Sequence, residues 1–98
     1  MAIWDDHEIY NDFSASVASA HPERFGPASV AYDHYLGNVN PDPVKADVRY
    51  FNFQHGDAAF FVWDTRSYRS ANSAPDDEDK TMLGERQKVV FLDWLAKV

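Results

Sequence analysis

The chain has 98 residues, 45% of them hydrophobic and 15% aromatic, which is typical of one globular domain or part of one and excludes a disordered chain. Its formal net charge of −7 is unfavourable for binding nucleic acid phosphates or anionic membranes, and it favours divalent cations or serves solubility alone. The absence of cysteine excludes disulfides and thiolate metal sites, and no apolar run is long enough to form a membrane span.

The first residues predict a strand that runs into a charged turn. Residues 2–4 have the pattern of a strand end, and Asp5 or Asp6 is suited to cap a short helical turn that reaches Phe13. A strand needs neighbours, and this one begins at the first residue with nothing before it. We therefore expect the chain to be a segment of a longer domain.

The next segments predict one loop and one helix. Residues 14–27 are small and polar and are interrupted by Pro and Gly, which predicts a loop. Residues 28–36 have approximately helical spacing of apolar groups, and Gly37 is a suitable C-terminal stop. The Pro-containing segment 38–43 cannot continue a helix and is interpreted as a connector.

A β-hairpin is predicted in the middle of the chain. Residues 48–54 are rich in aromatic groups and strand-like, residues 55–57 supply a short turn, and residues 58–63 form an apolar run. The uninterrupted apolar character of the second strand predicts that it is buried on both faces.

A long polar loop and a helix complete the chain. Residues 67–80 are predicted to form the loop, and the acidic run 76–79 within it lacks the spacing of a calcium-binding loop, which favours a solvated segment. Residues 84–98 carry apolar groups on one broad side and charged groups on the other, which predicts a helix.

The densest functional pattern is Asp5-Asp6-His7-Glu8, in which three carboxylates and an imidazole occupy four consecutive positions. In a tight turn after a strand these groups can converge, and their oxygen and nitrogen atoms are suitable ligands for divalent metals. A cation would also relieve the repulsion between the carboxylates. The alternative is that Asp5 and Asp6 cap a helix while Glu8 faces water.

A second candidate follows the hairpin, at Asp64-Thr65-Arg66. Loops at the carboxyl ends of buried strands often carry ligand-binding groups in layered α/β folds. The planar fork of Arg66 is suited to grip a phosphate, and Arg69 is placed to assist. The alternative is an Asp–Arg ion pair that stabilises a turn.

Three motifs together resemble a known family. Trp4-Asp5-Asp6-His7-Glu8, followed by Asn11, resembles the WDDHE segment of PhoD-like alkaline phosphatases. Residues 61–70 (FVWDTRSYRS) resemble the family's strand that ends in a DTR-type signature, and residues 82–87 (MLGERQ) resemble its MLG-x-x-Q segment. The final helix carries the matching Leu-Asp-Trp-Leu sequence at residues 92–95. The motifs follow the family's order over most of the chain.

The resemblance implies a metal-dependent phosphoesterase of the calcineurin-like superfamily, with a β-sandwich flanked by helices and with iron and calcium, or similar divalent or trivalent metal ions, as cofactors. Its substrates are phosphate mono- and diesters. On this template Asp6 is a metal ligand, with Asp5 and Asn11 as further candidates. His7 helps to protonate the leaving oxygen. Asp64 and Arg66 support the site or orient the substrate.

The resemblance also implies what residues 1–98 lack. The family's D-x-D and GD-x-x-Y ligand segments should precede WDDHE, and its GD-x-H segment should follow the last helix. We therefore expect a partial PhoD-like domain, an α+β fragment with an N-terminal strand, a hairpin and flanking helices, whose activity is weak or absent without the rest of the catalytic domain.

Two functions of other classes remain open at this point: a non-catalytic interaction module and an acidic domain that binds divalent cations. Family members are often secreted, but residues 1–98 contain no signal-peptide pattern, so the sequence does not determine the compartment.

Overall fold

The structure is a computed structural model that describes residues 1–98. It contains three α-helices, one short 3₁₀-helix and one two-stranded antiparallel sheet. Their order is α1 (Ala15–Ala20), α2 (Pro22–Tyr35), the 3₁₀-helix (Gly37–Val39), β1 (Phe51–His55), β2 (Ala58–Val62) and α3 (Glu85–Lys97). The expected mixed α and β class, with a hairpin and flanking helices, is confirmed. No helix has the length and apolar character that a membrane crossing requires.

The strand predicted at residues 2–4 is not formed. Residues 1–5 have no regular secondary structure, and the one sheet contains only β1 and β2. The backbone of Ala2 bonds to side chains instead of a strand ladder. Its N–H donates to Asn40 Oδ1 at 2.6 Å, and its carbonyl accepts the Tyr32 hydroxyl at 2.8 Å. These bonds satisfy the polar groups that a neighbouring strand would otherwise pair.

The loop predicted at residues 14–27 is wrong, because α1 and most of the first half of α2 occupy it. Pro22 is the first residue of α2, a position where proline has the right φ and where its missing N–H is not needed. Pro27 lies inside α2, where it removes a hydrogen bond without ending the helix. The predicted end of this helix before Gly37 is confirmed by the last residue, Tyr35.

The hairpin is formed as predicted, with Phe51 opposite Val62 and His55 opposite Ala58. Gly56 is the first residue of the two-residue turn and has φ of 59°, the conformation that a type II′ turn requires at this position. The expected burial of the second strand on both faces is wrong. Residues 58–60 are exposed although they alternate between the two faces, so both faces of this two-stranded sheet are open near the turn.

Aromatic packing attaches α3 to one face of the hairpin. The Phe61 ring lies 5.3 Å from that of Phe91 and 5.4 Å from that of Trp94, and Trp63 meets Phe91 edge to face at 5.0 Å. Such pairs add about 0.5–1.5 kcal/mol each beyond the area they bury. α3 thus forms where residues 84–98 predicted a helix.

The core of the N-terminal half is a separate cluster of three buried aromatic residues, Trp4, Phe13 and Tyr32. Partly buried apolar side chains pack around it, among them Ile9 and Phe25. This core fixes both ends of the charged turn, because Trp4 precedes it and Phe13 follows it.

Candidate functional site

Residues 5–12 form the turn that carries the Asp5-Asp6-His7-Glu8 cluster. The carbonyl of Asp6 accepts the N–H groups of Ile9 and Tyr10 at 3.0 and 2.9 Å. The Glu8 carboxylate bonds back to the N–H of Asp5 at 3.1 and 3.2 Å, which is the backward half of a capping box. Glu8 therefore caps this turn, and the side chains of Asp5 and Asp6 are available for other contacts.

Asp6, His7 and Asn11 lie together on one side of the turn. His7 Nε2 lies 3.8 Å from Asp6 Oδ1 and 3.2 Å from Asn11 Oδ1. The His7 side chain is 81% exposed and that of Asp6 is 16% exposed, so the imidazole is not sealed in an apolar core. The structure thus brings three of the predicted site residues within reach of one small ligand.

Asp12 fixes the orientation of the Asp6 carboxylate. Its backbone N–H donates to Asp6 Oδ2 at 3.1 Å. Asp12 adopts φ of 56°, in the left-handed region that Asp tolerates better than most residues. This hydrogen bond, with smaller contributions from the nearby positive charges of His7 and Arg66, lowers the pKa of Asp6 from its ordinary value. The Asp6 carboxylate is therefore kept ionised and in a fixed orientation.

Asp5 makes its side-chain contact with Arg66 and not with Asp6, His7 or Asn11. Its Oδ1 accepts Arg66 Nε at 2.6 Å, and Arg66 Nη1 also donates to the carbonyl of Phe13 at 3.4 Å. Arg66 thus connects both ends of the charged turn to the segment that follows β2. The Asp5 side chain is largely exposed, and its contact with Arg66 is a charge-assisted hydrogen bond. Asp5 therefore does not join Asp6 in facing a common ligand.

Asp64 is completely buried and its carboxylate accepts four hydrogen bonds. Oδ1 accepts the indole N–H of Trp4 at 3.2 Å and the backbone N–H groups of Arg66 and Ser67 at 3.1 and 3.0 Å. Oδ2 accepts the Ser67 hydroxyl at 2.5 Å. A carboxylate with these partners holds the DTR segment in shape and attaches it to the core.

Gln87 is the residue with a structural role that the sequence analysis missed. Its amide is buried, accepts the N–H of Asp64 at 2.9 Å and donates to the Asp64 carbonyl at 2.8 Å. It also donates to the carbonyl of Leu83 at 2.9 Å. The sequence signal for this residue is the glutamine of the MLG-x-x-Q segment, but the resemblance to the family segment assigned it no role.

The donor atoms present match part of a metal site. The structure contains no group of three or more His, Cys, Asp or Glu side chains that could hold one ion. Asp6 and Asn11 oxygens and the His7 nitrogen are nonetheless the ligand types that hard and borderline divalent metals take. The donor atoms at the turn are therefore of the right type for such a metal, but they form an incomplete set of ligands.

The three motifs are thus joined in one arrangement: the turn carries Asp6 and His7, the buried Asp64 supports it, and Gln87 holds Asp64. A model of the PhoD-like phosphatase family matches residues 1–98. The chain belongs to the PhoD-like phosphatase family, as the motifs had indicated. No curated protein and no solved structure matches it.

Proposed function

We propose that the turn at residues 5–12 supplies part of a site for the metal-dependent hydrolysis of phosphate mono- and diesters. The observation that carries this proposal is the grouping of Asp6, His7 and Asn11, with His7 Nε2 3.8 and 3.2 Å from the two oxygens. Membership of a phosphatase family supports phosphate esters as the substrate class.

Each side chain is assigned a role that its surroundings favour. Asp6 and Asn11 would hold a metal ion, because the first is kept ionised by the Asp12 N–H and the second offers an amide oxygen. When bound, an ion such as calcium or iron would neutralise the negative charge of the phosphoryl group. His7 is exposed at the edge of this group, where its imidazole could donate a proton to the leaving oxygen.

Arg66 and Asp64 are assigned supporting roles. The Arg66 guanidinium is held by Asp5, so it is positioned beside the turn rather than free to swing away. Asp64 orients the backbone on either side of Arg66. The role of Asp5 as a metal ligand stays a prediction, and its contact with Arg66 favours a positioning role.

Because the structure gathers no group of three or more ionisable ligands, we propose that this chain alone hydrolyses esters weakly or not at all.

The test has two readouts. Titration with calcium, manganese, zinc or iron should show uptake that Asp6→Asn abolishes, whereas Asp42→Asn, an exposed carboxylate with no side-chain contact, should leave it unchanged. Metal uptake identical in both variants would overturn the assignment of Asp6.

The second readout is turnover of an aryl phosphate and of an aryl phosphodiester. Any turnover detected should fall by roughly 10²–10⁴-fold in His7→Ala, the usual contribution of a positioned acid. His34→Ala, which removes a histidine from α2, is the matched control. Turnover that survives in His7→Ala would refute its role.

A domain that binds divalent cations without catalysis is the second candidate, favoured by the same Asp6 and Asn11 oxygens. Stoichiometric uptake lost in Asp6→Asn, with no turnover at any metal concentration, would favour it over the phosphatase.

A further inference from the structure

The loop between the DTR and MLG segments is closed at its base by two hydrogen bonds. The N–H of Ser70 donates to the carbonyl of Thr81 at 2.8 Å, and the N–H of Thr81 donates to Ser70 Oγ at 3.0 Å. This pairing places Arg69 and Lys80, which lie just outside and just inside the closure, at one cavity of about 360 Å³. Ser70, Asn72, Asp76 and Thr81 also line it.

The two cations of this cavity differ from most others in the chain because no carboxylate pairs with them. Arg49, Arg66, Arg86 and Lys97 are each paired with an aspartate, at 3.1, 2.6, 2.9 and 2.7 Å. Arg69 is half-buried and its guanidinium makes no ion pair and no hydrogen bond, whereas Lys80 Nζ donates only to the carbonyl of Asn72 at 3.4 Å.

Four of the nine Lys and Arg side chains form ion pairs, and Arg69 and Lys80 are two of the five that do not, although both line the same cavity. Asp76 lines the same cavity, yet it lies beyond ion-pair distance of both cations. Arg69 is also fixed at its backbone, because its carbonyl accepts the N–H of Ala15 at 3.3 Å. The backbone of Arg69 is therefore held in place, and the donors of its guanidinium are unused.

We propose that this cavity binds a phosphate-type dianion. The planar fork of Arg69 would supply two parallel hydrogen bonds, and the Lys80 ammonium would supply a third charge-assisted donor. The Ser70 hydroxyl accepts the Thr81 N–H and keeps its own proton to donate. The cavity volume lies at the low end of the range for small-molecule sites, which suits a single phosphate group.

This site is distinct from the Asp6-His7-Asn11 group and does not depend on the proposed hydrolysis. The experiment is a calorimetric titration of the chain with inorganic phosphate, in the absence of metal. Arg69→Gln and Lys80→Gln should each weaken binding by roughly tenfold, because each removes charge-assisted hydrogen bonds. Lys88→Gln on α3, which removes an exposed cation outside the cavity, should leave the affinity unchanged.

Asp76→Asn provides a test in the opposite direction. Removal of this carboxylate from the cavity should strengthen phosphate binding roughly threefold, because a like charge is lost near the anion. Lys80 is exposed on the loop, so its variant keeps the fold even where Arg69→Gln does not.

Two arms separate the sources of the anion. Tighter binding of phenyl phosphate than of inorganic phosphate would assign the cavity to the phosphate of an ester, and the reverse order would assign it to the free ion; both support the site. The absence of phosphate binding, or binding that is lost in His7→Ala but not in Lys80→Gln, would overturn the proposal.

Discussion

The two halves of the molecule are held together in different ways. In the N-terminal half, Trp4, Phe13 and Tyr32 form a sealed core around which α1 and α2 pack. In the C-terminal half, the hairpin and α3 meet through Phe61, Phe91 and Trp94, while other apolar side chains of α3 stay about half exposed, namely Val89, Leu92 and Leu95. The charged turn belongs to the sealed half.

The comparison shows that the geometry of the candidate site does not rest on the sheet. Trp4 and Phe13 fix the turn from the core side, and the sheet reaches it only through Asp64 and Arg66. Asp64 is the buried connection between the halves, because it bonds to Trp4 on one side and to Gln87 on the other, whereas Arg66 connects them at the surface. Substitutions can therefore be chosen that loosen one half, the other, or both.

Asp64→Ala should have the largest effect, because it removes four hydrogen bonds to a buried carboxylate and leaves the Trp4 indole N–H without a partner. We expect a loss of about 3–5 kcal/mol in the free energy of unfolding. Urea denaturation followed by Trp fluorescence measures it, and Asp42→Ala should change stability by less than about 0.5 kcal/mol. A loss in Asp64→Ala no larger than in this control would show that the halves are not joined here.

Gly84→Ala should act on the C-terminal half alone. Gly84 has φ of 74° and ψ of 157°, and a Cβ at this position would lie 2.8 Å from the Cβ of Tyr68. We expect a loss of about 2–3 kcal/mol, because the backbone region is strained for any other residue and the contact forces α3 away from the loop. Hydrogen exchange should accelerate in α3 and not in α2.

The matched control is Gly26→Ala, within α2. A Cβ there meets nothing within 4 Å, and alanine is the better helix former. This variant should change stability by less than about 0.5 kcal/mol, because the gain in helix propensity is offset by contact between the new Cβ and the ring of Pro27. Destabilisation by both substitutions, to the same extent, would contradict the difference in local packing.

Gln87→Met should detach α3 from Asp64 without disturbing the aromatic contacts. The backbone N–H and carbonyl of Asp64 would each lose their partner, for which we expect a loss of about 2 kcal/mol. The neighbouring Lys88→Met, at an exposed position of α3, should be close to neutral. Equal stability of the two variants in urea would show that the buried amide contributes nothing.

The smallest of the expected effects is the pH dependence of stability, which should reflect the ionisation of Asp6 in the charged turn. The pKa of Asp6 is lowered in the folded chain, chiefly by the N–H of Asp12, and that of Asp47 is lowered by its bonds to Arg86. A lowered folded pKa means that the unfolded chain binds the proton more tightly. The stabilisation is therefore complete above the ordinary aspartate pKa of about 3.9 and is lost as the pH falls through the folded value.

Asp6→Asn should flatten the acid limb of the stability curve, measured by thermal unfolding between neutral pH and strong acid. Asp57→Asn in the hairpin turn serves as the comparison, because its exposed carboxylate makes no hydrogen bond and no ion pair. An acid limb that is as steep in Asp6→Asn as in the unmodified chain would contradict the assignment.

The parts of the fold that the sequence predicted well depend on local patterns. The hairpin follows from two apolar runs around Gly56, and α3 from helical periodicity. Pro22 and Pro27 were interpreted as breaks, although one begins α2 and the other lies within it. The strand at residues 2–4 failed because a strand is defined by its partners, which a local pattern does not contain.

The candidate site likewise has contacts that the sequence predicted and contacts that it did not. Asp6 and His7 are neighbours in sequence, so their proximity in a turn could be predicted. The contacts of Asp64 with Trp4 and Gln87 join residues 60 and 23 positions apart, and no local pattern encodes such pairs. The family motifs named these positions but not the hydrogen bonds between them.

The left-handed backbone of Asp12 has a consequence for how the turn would meet a ligand. The conformational penalty for this geometry, about 1–2 kcal/mol for an ordinary residue, is borne when the chain folds. Asp6 is thus preorganised: its carboxylate has already lost its rotational freedom to the Asp12 N–H, so association with a cation would immobilise little that is not already fixed.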